Sequence, residues 1–128
     1  MNNECLNLDI WGRNCELEII FDCFEGESLT AIQEKTFEDI KDNYKHIFDD
    51  SFSLIKEYCL ENYSSLITDN FENIFRYIKP KQIYIKRSIT KKRIAGILCS
   101  FRFDIENGLA VYIEEGKAVK VGTQDIIL

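Results

Sequence analysis

Apolar and polar residues alternate in two runs near the N-terminus. The first run covers residues 6–10 and the second covers residues 15–23, and Gly12 lies in the break between them. Alternation with a period of two residues on both sides of a glycine-containing break is typical of two strands joined by a turn. The chain is therefore predicted to begin with a β-hairpin.

The spacing of apolar residues changes to three or four after residue 30, which indicates helices. Thr30 and Gln33 have the spacing of a capping box, in which each side chain satisfies a free backbone N–H group of the other residue. Ser51 and Asp69 stand at further positions suited to a helix N-cap, and Pro80 should end the last helix. We expect two to three helices, at about 30–48, 51–67 and 70–78.

Strand patterns return after Pro80 and continue almost to the C-terminus. Strands are expected at about 82–88, 93–103, 109–114 and 118–121, with glycine-containing turns between the last three of them. This succession predicts a C-terminal antiparallel β-meander. Gly96 and Ser100 lie on the face of their strand that lacks most of the large side chains, which indicates close approach by another element.

Together these elements predict a single α+β domain covering residues 1–128. The chain contains one proline, and no glycine-rich or serine-rich linker divides it. It begins without the basic and apolar segments of a secretory signal and has no run of 18 apolar residues, so we expect a cytoplasmic protein without a membrane span. The five cysteines have no zinc-site spacing and are interpreted as small apolar residues.

Charge divides the chain into two parts. Residues 1–78 contain 17 acidic and 6 basic side chains, whereas residues 79–128 contain 5 acidic and 10 basic ones, and the net charge is −6. Most of the basic residues of the second part lie between Lys79 and Arg93. We expect this basic stretch to lie against the acidic helices, which would leave an acidic surface for partners.

The sequence contains no recognisable catalytic set. Its single histidine, His46, is expected near the end of the first helix, with no carboxylate or cysteine at the spacing of a catalytic or metal site. Glycine-rich phosphate-binding loops are also absent from the sequence. No catalytic residue, metal ligand or cofactor is therefore predicted.

Glu38, Asp39 and Asp42 are the acidic residues to which chemistry is most easily assigned. Either Glu38 or Asp39 would share a helix face with Asp42, and two such carboxylates can act together on a divalent cation. This pattern supports an alternative function, an enzyme that uses acidic residues and a divalent metal. The simpler interpretation is the solvated face of a helix.

A second alternative is the binding of single-stranded nucleic acid by the basic β-region. The stretch from Lys79 to Arg93 contains Tyr84 and is followed by Phe101 and Phe103. Basic surfaces that carry aromatic rings bind single strands by charge and stacking. The acidic pI of about 4.8 argues against this partner.

Several short segments resemble an uncharacterised family of small bacterial proteins, a domain of unknown function. They are Trp11-Gly12-Arg13 with the strand that follows, the strand beginning at Pro80, residues 103–111 and residues 121–125. The resemblance spans most of the chain, implies one intact domain and brings no catalytic residues. Small acidic proteins without a catalytic set are also similar in a general way to the immunity and accessory proteins of bacterial toxin systems.

These observations favour a non-enzymatic protein-binding module, with an immunity-type inhibitor of a basic bacterial toxin as its more specific form. The contact is predicted at Trp11 and Arg13, whose residue types are enriched at binding hot spots, or at the acidic side chains of Glu38, Asp39 and Asp42. Trp11 has an alternative role as a partly buried lid on the core. The partner would be another protein or a second copy of this chain.

Overall fold

A six-stranded sheet and one long helix make up most of the chain that this computed structural model describes, namely residues 4–24, 26–69, 71–87 and 90–128. The elements are β1 (Glu4–Ile10), β2 (Arg13–Phe21), α1 (Ala31–Tyr63), β3 (Ile78–Ile85), β4 (Ile94–Phe101), β5 (Leu109–Glu114) and β6 (Lys117–Gly122), with 3-10 turns at Ser64–Leu66, Ile74–Arg76 and Gln124–Ile126.

The six strands lie in the sheet in the order in which they occur along the chain. All neighbouring strands are antiparallel except β2 and β3, which are parallel and are connected through α1. The α+β class is therefore correct. The expected division into a separate hairpin and a separate C-terminal meander is wrong, because β2 and β3 join both groups into one mixed sheet.

The hairpin turn depends on two residues with positive φ. Trp11 has a φ of 51° and Gly12 a φ of 86°, and the strands on either side pair from Ile10 and Arg13 outwards. Two consecutive residues with positive φ match the right-handed twist of the flanking strands in a two-residue hairpin turn. The turn therefore fixes Trp11 and Arg13 next to each other at one end of the sheet.

The predicted helix start at residue 51 is wrong, because α1 extends from Ala31 to Tyr63 and its one departure from helical geometry is at Asn43. Ser51 is buried, and its hydroxyl donates a hydrogen bond of 2.6 Å to the backbone oxygen of Ile47 instead of capping a new helix. The predicted capping box of Thr30 and Gln33 is confirmed at the start of α1. A kink occurs at Asn43, whose side chain donates to the backbone oxygen of Asp39.

The helix expected at 70–78 is also wrong, although residue 70 itself lies outside the described residues. The side chains of Asp69 and Asn73 accept hydrogen bonds from the backbone N–H groups of Phe71 and Phe75, two residues further on. Such local bonds favour turns over a continuing helix. One 3-10 turn forms there, and β3 then starts at Ile78.

Pro80 lies inside β3 instead of before it, so the strand expected at 82–88 begins four residues earlier. Proline has no N–H group, and in strands it is found at edges or bulges. Here the pairing of β3 with β4 shifts between Pro80 and Gln82, which leaves Lys81 as a bulge. The strand ends at Ile85, and residue 88 of the prediction lies outside the described residues.

The inner face of the sheet, which α1 covers, forms most of the core. Ile19, Ile83, Ile97 and Val111 lie side by side across four neighbouring strands and are buried. The buried apolar residues of α1 that belong to the same core are Ile40, Ile47, Phe48, Ile55 and Cys59. In the described ranges of the chain, no helix has the length and apolar character needed to cross a membrane.

The outer face of the sheet is partly covered by the C-terminal residues. Ile127 is buried against Leu98 and Ala110, and Tyr84 and Tyr112 pack around this second, smaller apolar cluster. The expected close approach at Gly96 is confirmed, because Ile127 is the side chain that lies over it.

Candidate functional site

β2 and β3 are paired over only part of their length. Glu18–Phe21 pair with Gln82–Ile85, whereas residues 13–17 pair with β1 alone and residues 78–80 with β4 alone among the described residues. Between these unpaired halves lies a cleft of about 350 Å³, here called the β2–β3 gap. It is lined by Arg13, Asn14, Cys15 and Glu16 from β2, by Lys79, Pro80 and Lys81 from β3, and by Phe75.

Two further clefts of about 320 and 340 Å³ adjoin the β2–β3 gap. The first shares Phe75 and Lys79 with the gap, and the second shares Arg76 and Arg102 with the first. Five basic side chains therefore stand around one continuous concave surface. We call this surface the cationic face and define it by the exposed residues Arg13, Arg76, Lys79, Lys81 and Arg102.

Most of the cationic face is free of internal ion pairs. Arg76 lies 3.7 Å from Asp69, but the other four basic side chains form no ion pair with any residue that the structure describes. Of the acidic residues that the structure describes, Glu16 alone lines any of the three clefts. In a chain with a net charge of −6, this is a local surplus of positive charge.

Aromatic side chains form the floor of these clefts. Phe75, Tyr77 and Phe101 are 8%, 4% and 2% exposed, so little of their ring surface is open to solvent. Arg13 lies over the ring of Phe75 at 4.5 Å from its centroid, an arrangement that holds the guanidinium in place. Ile105, 86% exposed, stands at the rim and adds an apolar contact.

Asp69 supports one side of the cationic face. Its carboxylate accepts a 2.7 Å hydrogen bond from the hydroxyl of Tyr77 and a further bond from the backbone N–H of Phe71. The bond from Tyr77, together with the nearby Arg76, holds the pKa of Asp69 below its usual value. Tyr77 and Arg76 are thereby fixed where the clefts adjoin.

Trp11 and Arg13, both predicted as binding residues, meet at Phe75. The indole N–H of Trp11 donates a 2.8 Å hydrogen bond to the backbone oxygen of Phe48, and its ring contacts those of Phe48, Phe52 and Phe75. These contacts fix the Trp11 ring against the core, where it forms a partly buried lid. Arg13, on the other side of Phe75, is exposed and belongs to the cationic face.

Asp39, a third predicted site residue, is engaged in an internal ion pair. Its Oδ2 lies 2.7 Å from Nε of Arg93, although the N–H is not aligned for a hydrogen bond, and its Oδ1 lies 3.5 Å from Nζ of Lys35. Arg93 in turn pairs with Glu115 at 3.0 Å. Arg93 precedes β4 and Arg102 follows it. At about 3.3 Å per residue, roughly 25 Å of strand therefore separates the ion pair of Asp39 from Arg102 of the cationic face.

Glu38 and Asp42, the remaining predicted site residues, are exposed on α1 and do not join the cationic face. Asp42 immediately precedes the kink at Asn43. Among the residues that the structure describes, no three histidine, cysteine or acidic side chains lie together as they would around a metal ion.

The expectation that the basic stretch lies against acidic helices is confirmed at Arg93 and wrong at Lys79 and Lys81. Arg93 contacts Asp39 of α1, whereas Lys79 and Lys81 are exposed beside the β2–β3 gap. The predicted acidic surface is therefore only part of the exposed surface. Arg76 and Arg102 were missed, because each is a lone basic residue in its segment and only the fold places them beside Lys79.

A family model described as a domain of unknown function (DUF6985) matches residues 2–128. This match covers nearly the whole chain and confirms the resemblance to an uncharacterised family. Comparison with curated proteins and with solved structures gave no match.

Proposed function

The chain belongs to the DUF6985 family, a domain of unknown function, and we propose that it is a non-enzymatic protein-binding module that takes an acidic segment of a partner protein. The observation that carries the proposal is the cationic face. Five exposed basic side chains surround three adjoining clefts, and Glu16 is the single lining carboxylate in the described part of the chain.

Charge complementarity supports an acidic partner segment. Arginine side chains bind carboxylates through two parallel hydrogen bonds, and Arg13 and Arg102 are both exposed for such contacts. A concave surface of one sign also attracts a partner of the opposite sign and raises the rate of encounter. The exposed Ile105 supplies an apolar contact beside these charges.

A protein is favoured over single-stranded nucleic acid by the position of the aromatic rings. Nucleobases bind by stacking on exposed ring faces, but Phe75, Tyr77 and Phe101 are nearly fully buried. Phe103, which lines the third cleft, is partly buried and stacks on Tyr63. The net charge of −6 also opposes the approach of a long polyanion, whereas a short acidic segment meets mainly the local positive surface.

A second candidate is the immunity-type inhibitor of a basic bacterial toxin, acting in the cytoplasm. The observation that favours it is the negative charge of the outer side of α1. That helix carries twice as many acidic residues as lysines. Its exposed acidic side chains are Glu34, Glu38, Asp42, Asp49, Asp50, Glu57 and Glu61.

The first candidate is tested with a fluorescent, end-blocked heptapeptide of alternating glutamate and valine, here called the acidic probe. Fluorescence anisotropy at low salt gives its affinity for the wild-type chain and for Lys79→Glu and Arg102→Glu. Each reversal is expected to weaken binding by about tenfold, because a lost attraction and a new repulsion at an exposed site together amount to roughly 1–2 kcal/mol.

Lys117→Glu is the matched control, because Lys117 is an exposed lysine on β6, three strands away from β3. It makes the same change in net charge and should leave the affinity for the acidic probe unchanged. Equal weakening by Lys117→Glu, or no binding of the acidic probe, would contradict the proposal. Tighter binding of oligothymidylate than of the acidic probe would instead favour nucleic acid as the partner.

The second candidate is tested with a counterpart probe in which lysine replaces glutamate. If α1 takes a basic partner, this probe binds and the pair of substitutions Glu38→Lys and Asp42→Lys weakens it, while Lys79→Glu does not. A lysine probe that binds no more tightly than an uncharged peptide would remove this candidate.

A further inference from the structure

We infer that the acidic segment binds in extended conformation inside the β2–β3 gap, where it pairs through its backbone with the free sides of both strands. This inference rests on the proposed function and specifies its binding mode. The occupant is a short strand of a partner protein with carboxylate side chains, and it enters the sheet between two strands instead of adding to an outer edge.

The first argument is the unpaired backbone on both walls of the gap. Residues 13–17 pair only with β1 and residues 78–80 only with β4 among the described residues, so each wall has one side without a strand partner. Every second residue of a strand directs its N–H and C=O groups to a given side. Apart from the missing N–H group of Pro80, these walls therefore offer the main-chain groups that strand addition uses.

The second argument is that the sequence itself holds the gap open. Pro80 cannot donate a backbone hydrogen bond, and the bulge at Lys81 bends β3 just before its pairing with β2 begins at Gln82. Pairing of β3 with β2 thus starts only after the proline and the bulge, and residues 78–81 have no partner on β2 among the described residues. Beyond the bulge, β2 and β3 form four regular parallel residue pairs, and the gap ends where this pairing begins.

The third argument is the charge of the side chains on the two walls. Arg13 stands on the β2 wall, and Lys79 and Lys81 stand on the β3 wall. Among the described residues that line the gap, Glu16 is the one opposing charge. Three basic groups against one carboxylate select an acidic strand over a basic one.

The size of the gap limits the segment that can enter. Three residues of β3, namely Lys79, Pro80 and Lys81, line one wall, and at about 3.3 Å per residue they span roughly 10 Å. The volume of about 350 Å³ lies at the lower end of the range of ligand clefts. The gap therefore takes a stretch of a few residues, and the adjoining clefts take its continuation.

Backbone methylation of the acidic probe tests the inference directly. The methylated probe keeps every carboxylate but lacks alternate backbone N–H groups, so strand pairing should make it bind at least about tenfold more weakly than the acidic probe. If both probes bind equally and Lys79→Glu weakens both, the proposed function stands and strand addition is overturned. If neither binds, both proposals fall.

Cys15 gives a second, independent measurement, because its thiol lines the β2–β3 gap. The saturating acidic probe is expected to slow alkylation of Cys15 several-fold, as measured by peptide mass spectrometry. Cys5, exposed on β1, is the control in the same molecule and should react at an unchanged rate. Unchanged alkylation of Cys15 under saturation, with anisotropy showing the probe bound, would place the segment outside the gap and overturn the inference.

Discussion

Ile127 lies over Gly96 so closely that a Cβ atom on Gly96 would stand 2.8 Å from Cγ1 of Ile127. Gly96 is on the outer face of β4, and Ile127 is fully buried there. The C-terminus is also held by Lys86, which donates a 3.0 Å hydrogen bond to the backbone oxygen of Ile127, and by Gln124, which donates to the backbone oxygen of Cys99. The last residues are thus part of the packed structure.

Gly96→Ala is expected to lower the free energy of unfolding by about 1–3 kcal/mol, because the added methyl group overpacks the contact with Ile127. Ile127→Ala alone should cost about 2–4 kcal/mol through the cavity that it leaves. In the double variant the new methyl group has room, so the combined cost should be smaller than the sum. Urea denaturation of all four proteins measures the coupling.

Leu128→Ala is the control for this cycle, since Leu128 is 62% exposed and should change stability by less than about 0.5 kcal/mol. Strict additivity of the Gly96 and Ile127 substitutions would show that the two residues are not in contact.

Trp11→Phe should destabilise the chain by about 1–2 kcal/mol. The phenyl ring keeps most of the contacts with Phe48 and Phe75 but cannot donate the 2.8 Å hydrogen bond to the backbone oxygen of Phe48. Trp11→Ala should cost more, about 3 kcal/mol, because the ring contacts are lost as well. Thermal and urea unfolding followed by circular dichroism test this order, and equal stability of wild type and Trp11→Phe would contradict it.

The ion pair between Asp39 and Arg93 connects α1 to the start of β4. The side chains are 20% and 33% exposed, so solvent screens the pair and the expected coupling energy is only about 1 kcal/mol. A double-mutant cycle with Asp39→Ala and Arg93→Ala measures this energy, which should fall at high salt. Lys35→Ala is the control, because it removes the other basic partner of Asp39. Lys35 is 59% exposed and lies 3.5 Å from Asp39, so it is more solvated and further away than Arg93.

A coupling energy near zero at low salt would show that Asp39 is free for a partner, as the sequence first suggested. In that case Asp39 would join Glu38 and Asp42 as a residue to be tested with the lysine probe. The cycle therefore also decides between an internal and an external role for this carboxylate.

Asp69 should make stability depend on pH in the acidic range. The hydrogen bond from Tyr77 lowers the pKa of Asp69 in the folded chain below its ordinary value of 3.8. A depressed pKa contributes stability that is present above the ordinary value and is lost as pH falls through the folded one. Urea midpoints of wild type and Tyr77→Phe should therefore differ at neutral pH and converge below pH 3.8.

The matched control is Tyr112→Phe, which removes a hydroxyl on the outer face, away from Asp69. Its difference from wild type should stay constant over the same pH range. A constant difference for Tyr77→Phe as well would mean that the Asp69 bond contributes nothing to stability.

The local elements that short-range patterns determine were predictable from the sequence. Thr30 and Gln33 form their capping box, and the hairpin around Gly12 forms where period-two alternation indicated it. The false helix start at residue 51 has a clear cause. A serine that caps a helix and a serine that bonds back to the residue four positions earlier look alike in sequence, and only burial of Ser51 selects the second.

The candidate site was less predictable, because it depends on a pairing between distant segments. Arg13, Arg76 and Arg102 belong to three separate segments, and no periodicity relates them. The parallel contact of β2 with β3 brings the first into position, and the 3-10 turn and the end of β4 bring the other two. The lysines on either side of Pro80 were visible as a basic stretch, but their exposure followed only from the bulge.

The parallel pairing of β2 with β3 also has a consequence for the order of folding. Residues 22–77 separate the two strands, so their pairing closes a long loop, whereas the hairpin and the strands from β3 to β6 form through local contacts. Assembly of the sheet should therefore proceed in two locally folded parts that dock last along four residue pairs. The seam between them is then expected to exchange its amide hydrogens sooner than the antiparallel strands on either side.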